Sequence, residues 1–157
     1  PIQLNLMISM IANKGFYLEP KLIKSPINNQ KNKIKPAGFN FSNLDLIRSL
    51  LDKAVIEKGS NAYSSRIDID DWRMAGKTGT SQVVEITEEE RKKEIIVTKN
   101  WKERDHALFI GYAPTNKPKY SVSVVIEHGG SGSQIAAPIG RDILLACRKI
   151  DPDGSRV

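Results

Sequence analysis

Between Ala107 and His128 the chain runs apolar, turns on two prolines and runs apolar again. The second run alternates. Tyr120, Val122, Val124 and Ile126 fall on one face, and Ser121, Ser123 and Glu127 fall on the other. That period of two is the mark of a half-buried strand. The link Pro114-Thr115-Asn116-Lys117-Pro118 is short. A parallel crossover needs a dozen residues or more, so the two strands must run antiparallel. A third strand is read upstream over Trp72 to Val84, separated from the pair by the long charged stretch Glu85 to Arg104. In that stretch Glu88 and Lys92, and Glu89 and Lys93, are spaced for pairing on a helix surface.

Helices flank this meander. Pro1 to Lys14 carries Ile2, Leu4, Leu6, Met7, Met10 and Ile11 on a wide apolar face, with Pro1 at its first position and Gly15 beyond its end. Phe16 to Ile23 is a short extended piece, and Ser25 to Phe41 reads as a polar surface loop. Ser42 to Lys58 is the clearest helix, capped by Ser42 with Asp45 completing a capping box. Its stripe is Ile47, Leu50, Leu51, Ala54 and Val55. A last helix, Ile135 to Ile150, turns Ile139, Ile143, Ala146, Cys147 and Ile150 inward to cover one face of the sheet. The fold class is α+β, a three-stranded antiparallel meander packed with helices.

The 157 residues suffice for one domain with a core. No apolar run approaches the roughly 18 residues that span a bilayer. With Pro1 where an initiating Met would stand, the chain reads as a soluble excised piece without a targeting segment. The net charge of +6 raises nucleic acid as a partner, but aromatics are only 6% and do not interleave with the Lys and Arg clusters. Nucleic acid is therefore excluded. Two histidines and the single Cys147 offer no metal-ligand spacing. His106 and His128, at strand ends, read as structural. Gly129-Gly130-Ser131-Gly132 lacks the Lys-Ser/Thr of a phosphate loop and reads as a flexible connection.

Chemistry concentrates in Lys77-Thr78-Gly79-Thr80-Ser81. A cation and hydroxyls suit an anionic ligand, and a glycine in a strand lets another backbone approach. Strict alternation puts Lys77 and Thr78 on opposite faces.

These residues and their neighbours carry a resemblance. Ala75 to Val83 resembles the third motif, K-T-G, of penicillin-binding transpeptidases. Pro1 to Leu4 with Ile11 to Gly15, Arg104 to Ala107 with Gly111 to Pro114, Glu127 to Gly130, and Ala136 to Ile139 match other segments of that family in order. The chain is most similar to class B members of the penicillin-binding protein 2 type. It departs from the pattern in two places. No Ser or Thr has a Lys three residues on, and no Ser or Tyr has an Asn two residues on. The S-x-x-K nucleophile motif and the S-x-N motif are both missing.

The resemblance implies that residues 1–157 are the C-terminal portion of a penicillin-binding/β-lactamase-like transpeptidase domain. The parent would cross-link D-Ala-D-Ala stem peptides through an acyl-serine intermediate, bind β-lactams, and sit in a bacterial inner membrane with its domain in the periplasm. Lys77, Thr78, Gly79, Thr80 and Ser81 would bind substrate. Lys77 would act in catalysis, approaching from behind the strand, and the Thr80 N–H would be one oxyanion donor. No cofactor is implied. The partners are the stem peptides, β-lactams and the missing N-terminal portion of the domain. Alone, the piece is expected to be inactive and to self-associate. A serine β-lactamase or D,D-carboxypeptidase shares the third motif, and a non-catalytic binding module is the reading from a different class.

Overall fold

A computed structural model describes residues 1–21, 35–36, 38, 40–84 and 100–153. Helix α1 spans Ile2–Ala12 and is followed by a two-residue strand, β1 (Phe16–Tyr17). It pairs with β2 (Lys35–Pro36), which lies within the stretch read as a loop. Helix α2 covers Phe41–Ile56. Strands β3 (Ala75–Ser81), β4 (His106–Ala113) and β5 (Tyr120–Ile126) form one antiparallel sheet in the order β3-β4-β5. The final helix, α3, spans Ala137–Ile150. The meander is thus as the sequence predicts, although β3 is shorter at both ends. The Glu88–Lys92 and Glu89–Lys93 pairs lie outside the described residues.

Alternation along β4 divides the core. Ala107, Phe109 and Ala113 face one way, joining Val122 and Val124 of β5, Leu144 of α3, and Trp72 and Met74. Tyr112 faces the other way, with Ala75, Ile8 and Ala12 of α1, and the partly buried Leu51 and Ile110. Helices therefore cover both faces. Burying the Phe109 side chain alone contributes about 3 kcal/mol.

Three expectations need correction. Helix α2 is capped by Asn40 rather than Ser42. Asn40 holds an extended backbone, and its side-chain oxygen accepts from the Ser42 N–H at 3.0 Å. The inward stripe of α2 is also different. Leu44, Arg48, Leu51 and Val55 follow the spacing of four, three and four, whereas Ile47 and Leu50 are exposed. Arg48 stands where an apolar residue is expected, and its guanidinium donates to the Thr115 carbonyl at 3.2 Å. A cation in the stripe is what misdirects the reading.

Helix α3 likewise turns a different face inward. Ala137, Gly140 and Leu144 are buried, while Ile139, Ile143 and Ile150 are exposed. The small side of the helix wins because it admits a close approach. A Cβ on Gly140 would lie 2.7 Å from Phe109 Cε1, inside contact distance. Trp72 Nε1 donates to the Leu144 carbonyl at 3.2 Å, and Tyr120 Oη donates to Asp151 Oδ2 at 2.7 Å, fixing the helix at its far end.

Candidate functional site

Strand β3 joins β4 along one side only, and its other side has no strand partner among the described residues. Along it, burial changes abruptly. Ala75 and Gly76 are buried, Thr78 and Gly79 are half-buried, and Lys77, Thr80 and Ser81 are exposed. The strand enters from the core and emerges as an accessible edge.

The register fixes which side chains share a face. Thr78 lies opposite Phe109 and Thr80 opposite Ala107, so both hydroxyls are on the α3 side. Lys77 lies opposite Ile110, Gly79 opposite Leu108 and Ser81 opposite His106, on the α1 side. Lys77 and Thr78 therefore do point to opposite faces. The Lys77 ammonium nevertheless comes round to the backbone and donates to the Thr78 carbonyl at 2.8 Å. In a strand the N–H and C=O of residue i point the same way as those of residue i+2. The Thr80 N–H thus projects to the side on which the Lys77 ammonium sits.

The two nearby glycines differ in kind. A Cβ on Gly76 would lie 2.6 Å from Phe109 Cζ, so packing inside the sheet excludes a side chain. A Cβ on Gly79 would meet only Leu108 Cβ, at an ordinary 3.4 Å. The sheet does not itself demand a glycine there.

One part of the site was missed in the sequence. Gly132, in the stretch read as a flexible connection, is buried and opens the π-helical turn Gly132–Ala136. That turn lies on β3 and β4. A Cβ on Gly132 would collide with the Gly79 carbonyl and lie 2.6 Å from the Leu108 carbonyl. Ser131 caps the turn, accepting from the Gln134 N–H. The sequence signal was a glycine three residues ahead of the amphipathic stretch that begins at Ile135.

His106 and His128 interlock beyond Ser81. The His128 backbone N–H donates to His106 Nδ1 at 2.9 Å, and His128 Nδ1 donates to the Arg104 carbonyl at 3.1 Å. Each bond fixes the tautomer of one ring. Cys147 is half-buried rather than buried, and desolvation pushes its thiol above the ordinary range. A groove of about 520 Å³ lined by Trp72, Lys117, Lys119 and Arg148 includes none of Lys77 to Ser81. Among the described residues no group of three or more His, Cys, Asp or Glu is placed to hold a metal ion, and no helix is long and apolar enough to cross a membrane.

Comparison with known proteins gives this edge strand its context. The chain is 31% identical to the peptidoglycan D,D-transpeptidase MrdA of Acinetobacter baumannii over 97% of its own length and 23% of that protein's. It is 41% identical to MrdA of Haemophilus influenzae over 46% of its length and 11% of that protein's. Its structure superposes on penicillin-binding protein 2 of Pseudomonas aeruginosa, crystallised with WCK 5153, with a TM-score of 0.69 at 30% identity, covering 98% of this chain and 31% of that one. The penicillin-binding protein 2 of Helicobacter pylori, solved with MreC, shares the fold at a TM-score of 0.74 and 24% identity, over 97% of this chain and 25% of that one. The chain thus spans about a quarter of the length of the Acinetobacter relative. The family model for the penicillin binding protein transpeptidase domain matches residues 1–145. The chain belongs to the penicillin-binding protein transpeptidase family.

Proposed function

We propose that this chain forms the C-terminal portion of a transpeptidase domain and supplies one wall of a peptidoglycan D,D-transpeptidase site. The observation that carries this is the Lys77–Ser81 edge, where the Lys77 ammonium lies on the Thr78 carbonyl, on the side of an accessible strand to which the Thr80 N–H also projects. The likeness to MrdA supports the reading.

The chemistry is acyl transfer. A serine supplied from outside these residues attacks the carbonyl of the D-Ala-D-Ala bond, the terminal D-Ala leaves as the free amino acid, and an acceptor amine then takes the acyl group and returns the serine hydroxyl. Thr78 and Thr80 donate hydroxyl hydrogen bonds to the terminal carboxylate. Lys77 holds positive potential beside it. The Thr80 N–H stabilises the oxyanion, an interaction worth about 3 kcal/mol in such sites. Gly79 leaves space for a substrate backbone to lie along β3 as an added strand. Ser81 lines the exit of that path. A β-lactam occupies the same edge through its own carboxylate. The longer protein works at the outer face of a bacterial inner membrane. The 157 residues alone contain no acylating serine motif and form no penicillin adduct. They associate instead with the rest of the domain or with one another.

Labelling by a fluorescent penicillin tests the assignment. The longer protein labels, and Lys77→Ala lowers its acylation rate about ten- to a hundredfold. Undiminished labelling of that variant removes Lys77 from the site. A penicillin adduct on the isolated chain, seen by mass spectrometry, would refute the missing-serine argument.

A further inference from the structure

His106 and His128 touch, yet their rings play opposite hydrogen-bonding roles. The His128 backbone N–H donates to His106 Nδ1 at 2.9 Å. A main-chain N–H can only donate, so His106 Nδ1 keeps its lone pair and the ring carries its proton on Nε2. Turning the ring over would set a C–H against that N–H, which fixes the orientation too. His128 Nδ1, by contrast, lies 3.1 Å from the Arg104 carbonyl. A carbonyl can only accept, so His128 Nδ1 carries a proton. A second proton on His128 would leave its bond intact. A second proton on His106 would set N–H against N–H and abolish its bond.

The bond at risk holds an unfavourable turn. His128 has a left-handed backbone (φ 55°), which a residue with a side chain adopts only when its surroundings hold it there. Two further main-chain bonds close the turn, from the Gly129 N–H to the Ile126 carbonyl at 3.2 Å and from the Gly130 N–H to the Asp105 carbonyl at 2.8 Å. Neither gives the His128 N–H an acceptor. The charged and titratable groups around His106 are few among the described residues. Arg104 and Asp105 precede it in the chain, and Glu127 follows Ile126, the partner of Ala107. The His128 ring stands edge-on with centroids 4.9 Å apart. The short turn Trp101–Glu103, whose Trp101 packs on His128, adds Lys102 and Glu103. Strand β3 presents Ser81, with Lys77 four residues back on the same face.

We infer that the His106–His128 contact is an acid-released clasp. Neutral His106 holds the His128 turn in its left-handed shape, and a proton taken from solvent at Nδ1 lets the turn go. Each opening takes up one proton and passes one main-chain hydrogen bond from imidazole to water. The clasped form therefore binds fewer protons than the released form, so acid favours release. The range is that in which imidazoles change charge, between about pH 8 and pH 5. The clasp needs no ligand on β3. The segment it holds runs directly into Gly132, the residue seated on Gly79.

Hydrogen–deuterium exchange of the longer protein tests this. Mass spectrometry reads the peptides spanning Glu127 to Gly130, and protection is expressed relative to the unfolded chain at the same pH. In the wild type, protection falls about tenfold from pH 8 to pH 5. His106→Asn offers a side-chain oxygen in place of Nδ1 and takes up no proton, so its protection changes by less than about twofold. His128→Asn keeps the N–H and tolerates the left-handed backbone, and it loses protection in acid as the wild type does. Protection independent of pH in the wild type overturns the proposal. So does an equal acid loss in His106→Asn. Acid loss that disappears in His128→Asn assigns the switch to the wrong ring and also overturns it. If His106→Asn is unprotected even at pH 8, His128→Asn decides alone, with persisting acid loss supporting the clasp and its absence refuting it.

Discussion

Gly132 rests on the backbone of Gly79. A Cβ at position 132 would collide with the Gly79 carbonyl and lie 3.0 Å from the Gly79 nitrogen. Both obstacles are main chain, so no side-chain rotation relieves them. The turn before α3 therefore braces the edge strand from the face that carries Thr78 and Thr80.

Gly132→Ala must displace either the turn or the strand. Overpacking of this kind costs about 1–3 kcal/mol. Urea unfolding of the longer protein should show that loss, and penicillin acylation should fall by more than the unfolded fraction explains. Acylation at the wild-type rate would mean that the brace does not set the shape of β3.

The cap of α2 discriminates between two neighbouring residues. Asn40→Ala is expected to cost about 1 kcal/mol in chemical denaturation, and Ser42→Ala a few tenths at most. The reverse ranking would restore Ser42 as the cap.

Tyr112 gives the fold an alkaline limit. Its phenol is 1% exposed, and burial pushes its pKa above the ordinary 10.0. The Arg48 guanidinium opposes that shift, and the Asp52 carboxylate adds to it. Above about pH 10 the unfolded chain releases this proton while the folded chain keeps it. Stability from this group is fully present below pH 10 and declines as pH rises through the folded value. Urea midpoints at pH 8 and pH 11 should drop further for the wild type than for Tyr112→Phe. Equal drops would show that Tyr112 ionises as freely as in the unfolded chain.

The proposed self-association of the isolated chain rests on its exposed edges and faces. The outer side of β3 is unpartnered among the described residues, and Leu46, Leu50, Ile139 and Ile143 are exposed on helices. Sedimentation of the 157 residues at high concentration should show oligomers. A single monomeric species across the concentration range would contradict this.

Local periodicity made the sheet legible. The alternation from Tyr120 to Ile126 and the short link before it specify an antiparallel pair, and the structure has it. The Lys77–Ser81 edge was legible too, because its residue types suit only an exposed strand. The helix faces were less so. Hydrophobicity points to Ile139 and Ile143, but contact with Phe109 selects Gly140, whose merit is the side chain it lacks. Arg48 hid the stripe of α2 in the same way, since its partner, the Thr115 carbonyl, is 67 residues away. Gly132 was invisible because its reason is a backbone contact with Gly79.

The alternation along β3 has a consequence for how this segment tolerates change. Lys77 faces α1, while Thr78 and Thr80 face α3. Inserting a single residue before Lys77, with the pairing to β4 kept, would exchange the cation and the hydroxyls between the two sides. Inserting two would restore each group to its own side. Length variation in this strand is therefore admissible only in even steps, and the segment behaves as a two-letter code whose frame is set by the burial of Ala75 and Gly76.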